Sequence, residues 1–282
     1  MSEYKKSYLP ASDMNVALFI VHLLNNNFSH SVITSCVYGI KWMHNLFGYK
    51  DPTLNVHLKD LLSTSKRRVA IRLNGKKDVI SSDCVKDLFI KYRDSTDLFV
   101  VRDLVMIVTC FTGFLRYDEL SNIRCNEISF HENYVKILIS KSKTDQFRDG
   151  NEVLLSKIDS VACPFEALFR YVTLANVDLS SSNFLFRALY KTKLKSALRH
   201  KVKKLSYTRT KEVLISRLKE VVPEGLNLGL HSLRASGATA AANAGVNERC
   251  LKRHGRWRSD AVHGYIKDSV NDRLTVTQNL GL

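Results

Sequence analysis

The sequence predicts a mainly α-helical protein in two parts, with one small three-stranded antiparallel sheet in the larger part. Three observations predict it. Apolar residues recur at steps of three and four through most of the chain. Between Asn126 and Leu155 the pattern changes to alternation, in three short runs. A basic stretch from Lys66 to Lys77 separates a short helical block from a longer one.

Taken in order, Ser12 suits a helix N-cap and opens a helix through Val16 and Ile20 to about Leu24. A second helix begins near Ser31, where Ile33, Val37, Ile40, His44 and Phe47 draw one stripe. Asp51-Pro52 breaks the chain, and Leu54, Leu58, Leu61 and Leu62 mark a third helix. These make a helical domain over 10–65. Residues 66–78 read as a basic linker in which Lys66, Arg67, Arg68, Arg72, Lys76 and Lys77 are candidate phosphate contacts. The second domain spans 79–282. Val85, Leu88, Phe89 and Tyr92 mark its first helix, and Leu98 to Phe111 is apolar almost all round, as a buried central helix requires. Asn126 to Phe130, Tyr134 to Ser140 and Asn151 to Leu155 are the strands, with Glu132-Asn133 as the first turn. From Pro164, at a first helical position, the pattern reads as helix again, including a basic amphipathic helix pair across Lys191 to Lys219.

The charge balance narrows the partners. The 282 residues carry 43 Lys+Arg against 27 Asp+Glu, a formal +16. Such an excess favours a polyanion, because each neutralised phosphate releases counterions. Hydrophobic residues at 45% exclude a disordered chain. Six scattered cysteines without a C-x-x-C exclude a zinc finger or ribbon and read as reduced thiols. No apolar run has the length of a membrane span, and Met1 to Lys6 holds no apolar signal region. The expected location is intracellular: the nucleus in a eukaryote, the cytoplasm or nucleoid in a bacterium or phage.

The chemistry lies in three distant segments. His231 and Arg234 stand three apart in Leu230-His231-Ser232-Leu233-Arg234, on a helix with an Ala/Gly-rich continuation that permits close packing. Downstream runs His254-Gly255-Arg256-Trp257-Arg258, then Gly264-Tyr265. Far upstream is Gly113-Phe114-Leu115-Arg116-Tyr117-Asp118-Glu119-Leu120. In this order the chain resembles the tyrosine recombinase (phage integrase-like) family, over roughly residues 10–270. The resemblance implies a two-domain clamp, a helical core-binding domain plus a catalytic domain, working on double-stranded DNA as a homotetramer. It implies cleavage and rejoining by transesterification through a 3′-phosphotyrosine, with no metal, ATP or other cofactor. The tail from Arg273 to Leu282 is similar to recombinases of eukaryotic DIRS-type mobile elements.

The resemblance assigns roles by position. Tyr265 is the nucleophile, and Arg116 and Arg234 clamp the non-bridging phosphate oxygens. Lys143, with Lys141 as the other candidate in the same turn, protonates the leaving 5′-oxygen. His231 accepts the phenol proton or hydrogen-bonds the phosphate, and Glu119 braces the first arginine. The His-or-Trp position falls on Trp257 counted from His231 and on Arg256 counted back from Tyr265; Trp257 is preferred for its indole N–H. Two other functions share much of this pattern. One is a type IB topoisomerase, and the other is a domesticated DNA-binding protein without catalysis.

Overall fold

The computed structural model describes residues 9–71, 77–140, 150–191, 196–199, 203–268 and 270–279. The chain divides into two compact units, Met1–Gly75 and Lys76–Leu282, each with its own core.

In the first unit, α1 (Asp13–Asn25), α2 (His30–Leu46) and α3 (Val56–Ile71) enclose Val16, Ile20, Leu23, Ile33, Val37 and Leu58. Ser12 and Ser29 cap the first two helices, their hydroxyls accepting from the amides of Asn15 and Val32. His44 is buried in the α2 stripe. Its Nε2 accepts from the Ala11 amide (2.9 Å), so Nδ1 carries the proton and donates to the Ile40 carbonyl (2.8 Å). Both ring nitrogens are satisfied, which is what lets a polar ring stand in a core. Phe47, expected on the same stripe, is exposed.

The basic linker expectation needs correcting at its start. Helix α3 continues through Lys66, Arg67 and Arg68 to Ile71, with Ser65 on its inner face buried and bonded to His30 (2.6 Å). The three basic residues are therefore exposed positions on a helix. Arg72 and Lys76 lie outside the described residues.

The second unit is built on α5 (Leu98–Thr112), preceded by α4 (Ser82–Lys91). From Val100 to Phe111 every residue of α5 is buried, Arg102 and Asp103 included. Those two neutralise each other at 2.7 Å, and Arg102 also donates to the Arg187 carbonyl, so neither charge stands alone in the core. After α6 (Tyr117–Asn122), strands β1 (Ile128–Phe130), β2 (Tyr134–Ile139) and β3 (Asn151–Ser156) form an antiparallel sheet in the order β1-β2-β3. Val135, Ile137, Ile139, Val153 and Leu155 point inward at period two.

Next come α7 (Pro164–Leu174), a hairpin of β4 (Leu189–Lys191) and β5 (Ser196–Leu198), and α8 (Tyr207–Leu218). The basic stretch expected as a helix pair is thus a hairpin followed by one helix. Leu189 pairs with Leu198 across the hairpin and is buried, and each strand is only three residues long, too short to show a period in sequence. The unit closes with α9 (Leu230–Asn243), α10 (Glu248–Gly255), a 3₁₀ turn (Asp260–Gly264) and α11 (Val270–Gln278). Helices α7, α8 and α9 all pack on α5. No helix among the described residues is long and apolar enough to cross a membrane.

Candidate active site

The site is organised by the end of α5. Beyond Gly113 the chain turns through Phe114, whose φ of 48° is left-handed. The last carbonyls of a helix have no partner within it and carry partial negative charge. Here cationic and polar side chains take them. His254 Nε2 donates to the Thr112 carbonyl at 2.7 Å, and Arg256 Nη1 reaches that of Gly113 at 3.3 Å. Arg256 Nη2 donates to the Phe114 carbonyl at 3.0 Å, and Arg234 Nη1 donates to the same oxygen.

Glu119 is the second organiser. Arg116 stands at the head of α6, and Glu119 reaches back to accept from its backbone N–H (2.8 Å) and its Nη1 (2.9 Å). The same carboxylate accepts from Arg256 Nη2 at 2.9 Å and lies 3.5 Å from Arg234 Nη1. Glu119 is 2% exposed, so it is no surface acid. Burial works against its charge, but the guanidinium of Arg256, the Arg116 amide and Arg234 outweigh it and hold the carboxyl below its usual range. One carboxylate among three guanidiniums leaves a buried excess of positive charge, suited to an anionic ligand.

Arg234 carries that excess most acutely. Its side chain is fully buried, and Nη2 donates to the Gly255 carbonyl at 2.6 Å. Burial first, and the nearby Arg116 next, pull its pKa down to about 10. The guanidinium carbon lies 4.4 Å from the Trp257 ring centroid and 5.3 Å from that of Tyr265, while the two rings are 5.2 Å apart. Two glycines permit this packing. A Cβ on Gly255 would stand 1.8 Å from the Trp257 ring, and one on Gly237 would stand 1.9 Å from the Phe111 carbonyl. Helix α9 can therefore bring Arg234 against α5 only without a side chain at Gly237.

The structure thus brings Arg116, Glu119, Arg234, Trp257 and Tyr265 together. Tyr265 follows the 3₁₀ turn that Ser259 caps, rather than sitting on an α-helix, and its amide bonds back to Val262 (2.9 Å). His231 is exposed one turn before Arg234. Lys143 and Lys141 lie outside the described residues. Lys77 is engaged locally, its ammonium donating to Asn227 and its carbonyl accepting from Lys267 (3.0 Å). Sequence reasoning left His254 without a role and underrated Arg256. The first is legible only once the α5 carbonyls are located, and the second had its register from Tyr265 as a signal. Glu248, Asp260 and His263 also cluster, exposed, but Lys252 already places its ammonium 2.7 Å from Glu248 and 2.8 Å from Asp260.

No family model matches the chain. An integrase/recombinase xerD homolog of Selenomonas ruminantium is 24% identical over 279 residues, spanning 94% of this chain and 78% of the relative. Among solved structures, XerH site-specific recombinase in a post-cleavage complex with its difH substrate superposes with a TM-score of 0.64 at 13% identity. It covers 97% of this chain and 73% of that one. The Tn1549 transposon integrase bound to circular-intermediate DNA gives 0.56 at 13% identity, over 96% and 85% of the two chains. These likenesses establish the fold.

Proposed function

We propose that this chain, a tyrosine recombinase by its fold and by the order of its motifs, cleaves and rejoins duplex DNA at specific sites by two transesterifications. The observation that carries this is the convergence of Arg116, Arg234 and Tyr265, from segments far apart in sequence, on one buried and positively charged locus.

In the forward step the Tyr265 phenol oxygen attacks the scissile phosphorus. A 3′-phosphotyrosine bond forms as the bond to the 5′-oxygen breaks, and the new ester conserves the energy needed for rejoining. The phosphorane-like transition state concentrates charge on its non-bridging oxygens, and guanidiniums preorganised in a low-dielectric site stabilise that charge without reorganisation. Arg116 and Arg234 supply them. His231 accepts the phenol proton or hydrogen-bonds the phosphate, Lys143 gives a proton to the leaving oxygen, and Trp257 packs the nucleophile. Guanidiniums meet the charge on the non-bridging oxygens and the phosphotyrosine keeps the bond energy, so this reading assigns no step to a metal or to ATP. The bound partner is double-stranded DNA, in keeping with the net charge of +16 and with the DNA complexes of the XerH and Tn1549 proteins. The first unit acts as the core-binding domain, with Lys66, Arg67 and Arg68 on an exposed helical face among its phosphate contacts.

Strand exchange needs several protomers, and we assign assembly into a homotetramer on DNA to the tail that contains α11, where Leu274 is exposed. Incubation with a pool of nicked duplexes of randomised centre tests the chemistry. The expected result is a covalent protein–DNA adduct that survives denaturant and forms in the presence of EDTA. No adduct at any sequence would contradict the reading. Removing the residues after Val270 should reduce exchange between two duplexes far more than adduct formation. Equal loss of both would remove the assembly role.

A further inference from the structure

We propose that Arg256 is a positioning residue for cleavage: it satisfies the Glu119 carboxylate and the carbonyls ending α5, and so leaves Arg116 and Arg234 to hold the phosphate. The proposal rests on the reading of the preceding section.

Counted back from Tyr265, Arg256 falls where the family resemblance expects a histidine or tryptophan, so a direct phosphate contact is the first idea to consider. What separates Arg256 from Arg234, which is as deeply buried and also bonded to carbonyls, is its place: Arg234 lies 5.3 Å from the Tyr265 ring centroid, and Arg256 lies against the carbonyls that end α5. Arg256 is 5% exposed, and both terminal nitrogens are already committed. Nη1 donates to the carbonyls of His254 (2.7 Å) and Gly113 (3.3 Å). Nη2 donates to the Phe114 carbonyl (3.0 Å) and the Glu119 carboxylate (2.9 Å). The neighbouring Trp257 ring, not Arg256, lies over Arg234.

What Arg256 does hold is the distribution of one negative charge. Its Nη2 is 2.9 Å from Glu119 Oε2, whereas Arg234 Nη1 is 3.5 Å from the same oxygen. Without Arg256, that oxygen keeps only the Arg116 backbone N–H at 2.8 Å and the longer contact to Arg234, so the buried carboxylate pulls harder on Arg234. Drawing Arg234 onto Glu119 takes from the phosphate the donor it needs, and about an ångström of misplacement at a reacting centre costs on the order of a hundredfold in rate. The backbone gives an independent sign. Arg256 ends α10 at φ 57°, a left-handed position where glycine or asparagine is the usual residue. A long side chain kept there in spite of its Cβ marks the side chain as the reason.

The test uses the full chain and the duplex selected above, comparing Arg256→Gly, Arg256→Lys, Glu119→Gln and the double Glu119→Gln/Arg256→Gly. Glycine accepts the left-handed turn, so the backbone is kept while the guanidinium is lost. Arg256→Gly should slow single-turnover cleavage about a hundredfold while duplex affinity and cooperative melting persist. Added guanidinium ion should restore about tenfold of the lost rate, one further charge-assisted contact's worth. Arg256→Lys should fall between the two. The double variant should cleave no more slowly than Arg256→Gly, since no carboxylate remains to divert Arg234.

Cleavage by Arg256→Gly at the wild-type rate would overturn the proposal. So would a double variant slowed by the product of the single effects, or a guanidinium-insensitive variant whose melting loses cooperativity. If glycine unfolds the protein, Arg256→Lys in the Glu119→Gln background decides by the same non-additivity. Absence of any adduct from the wild-type chain would remove the family reading and this proposal together, whereas wild-type cleavage with unaffected variants would remove the proposal alone.

Discussion

The Arg234 guanidinium lies 5.3 Å from the ring centroid of Tyr265, the proposed nucleophile, and under its ring. Arg234 is 0% exposed and Trp257 covers it as well, at 4.4 Å. A phosphate held by Arg234 must therefore displace one or both rings.

That displacement is measurable because the chain has two tryptophans, Trp42 and Trp257, and only Trp257 is buried. In a Trp42→Phe variant, emission from the free protein should be blue-shifted and should move to the red in the covalent complex. Emission unchanged between the free protein and the complex would place the phosphate elsewhere.

The glycines make a second prediction, with signs that differ by position. Gly237→Ala forces a Cβ against the Phe111 carbonyl, and Gly255→Ala forces one against the Trp257 ring. Each should lower stability by about 1–3 kcal/mol as an overpacked core does, Gly237→Ala more because backbone cannot yield. Gly39, inside α2, has nothing within 4 Å of an added Cβ. Gly39→Ala should raise stability by about 0.5–1 kcal/mol. Denaturant melts of the three variants check the ordering.

His254 makes the fold pH-sensitive. Burial, and then the Arg256 and Arg234 guanidiniums, lower its pKa, and the bond to the Thr112 carbonyl does not reverse this. The folded protein thus prefers neutral imidazole, and between the folded pKa and the unfolded one, about 6.5, the unfolded chain binds more protons. Its contribution is complete above about pH 6.5 and is lost as pH falls through the folded value. His254→Gln, which can still donate to Thr112, should flatten this loss. Parallel wild-type and variant stability curves from pH 7 downward would contradict it.

The exposed basic face of α3 makes a prediction about binding. Replacing Lys66, Arg67 and Arg68 with Ala should weaken all duplexes alike and flatten the plot of log K against log salt by about one unit per lost contact. An unchanged slope would mean that the face is only solvated.

Much of this was legible in sequence, and the failures have physical reasons. Caps such as Ser12 and the all-apolar run of α5 are local signals, so both could be read directly. Arg116, Arg234 and Tyr265 were legible because their motifs keep a fixed order. The hairpin at Leu189–Leu198 was missed because strands of three residues are too short to show a period inside a basic stretch. The work of His254 and Arg256 was hidden because it depends on carbonyls of α5, more than a hundred residues away, which no side-chain pattern reports.

The most direct test of the account is to map the protein–DNA adduct by mass spectrometry, in the wild type and in Tyr265→Phe. The account predicts a nucleotide attached through its 3′-phosphate to Tyr265 alone, and no adduct in Tyr265→Phe although duplex binding is nearly unchanged. An adduct that survives in the variant, or that maps to another residue such as Tyr171 or Tyr190, would contradict it.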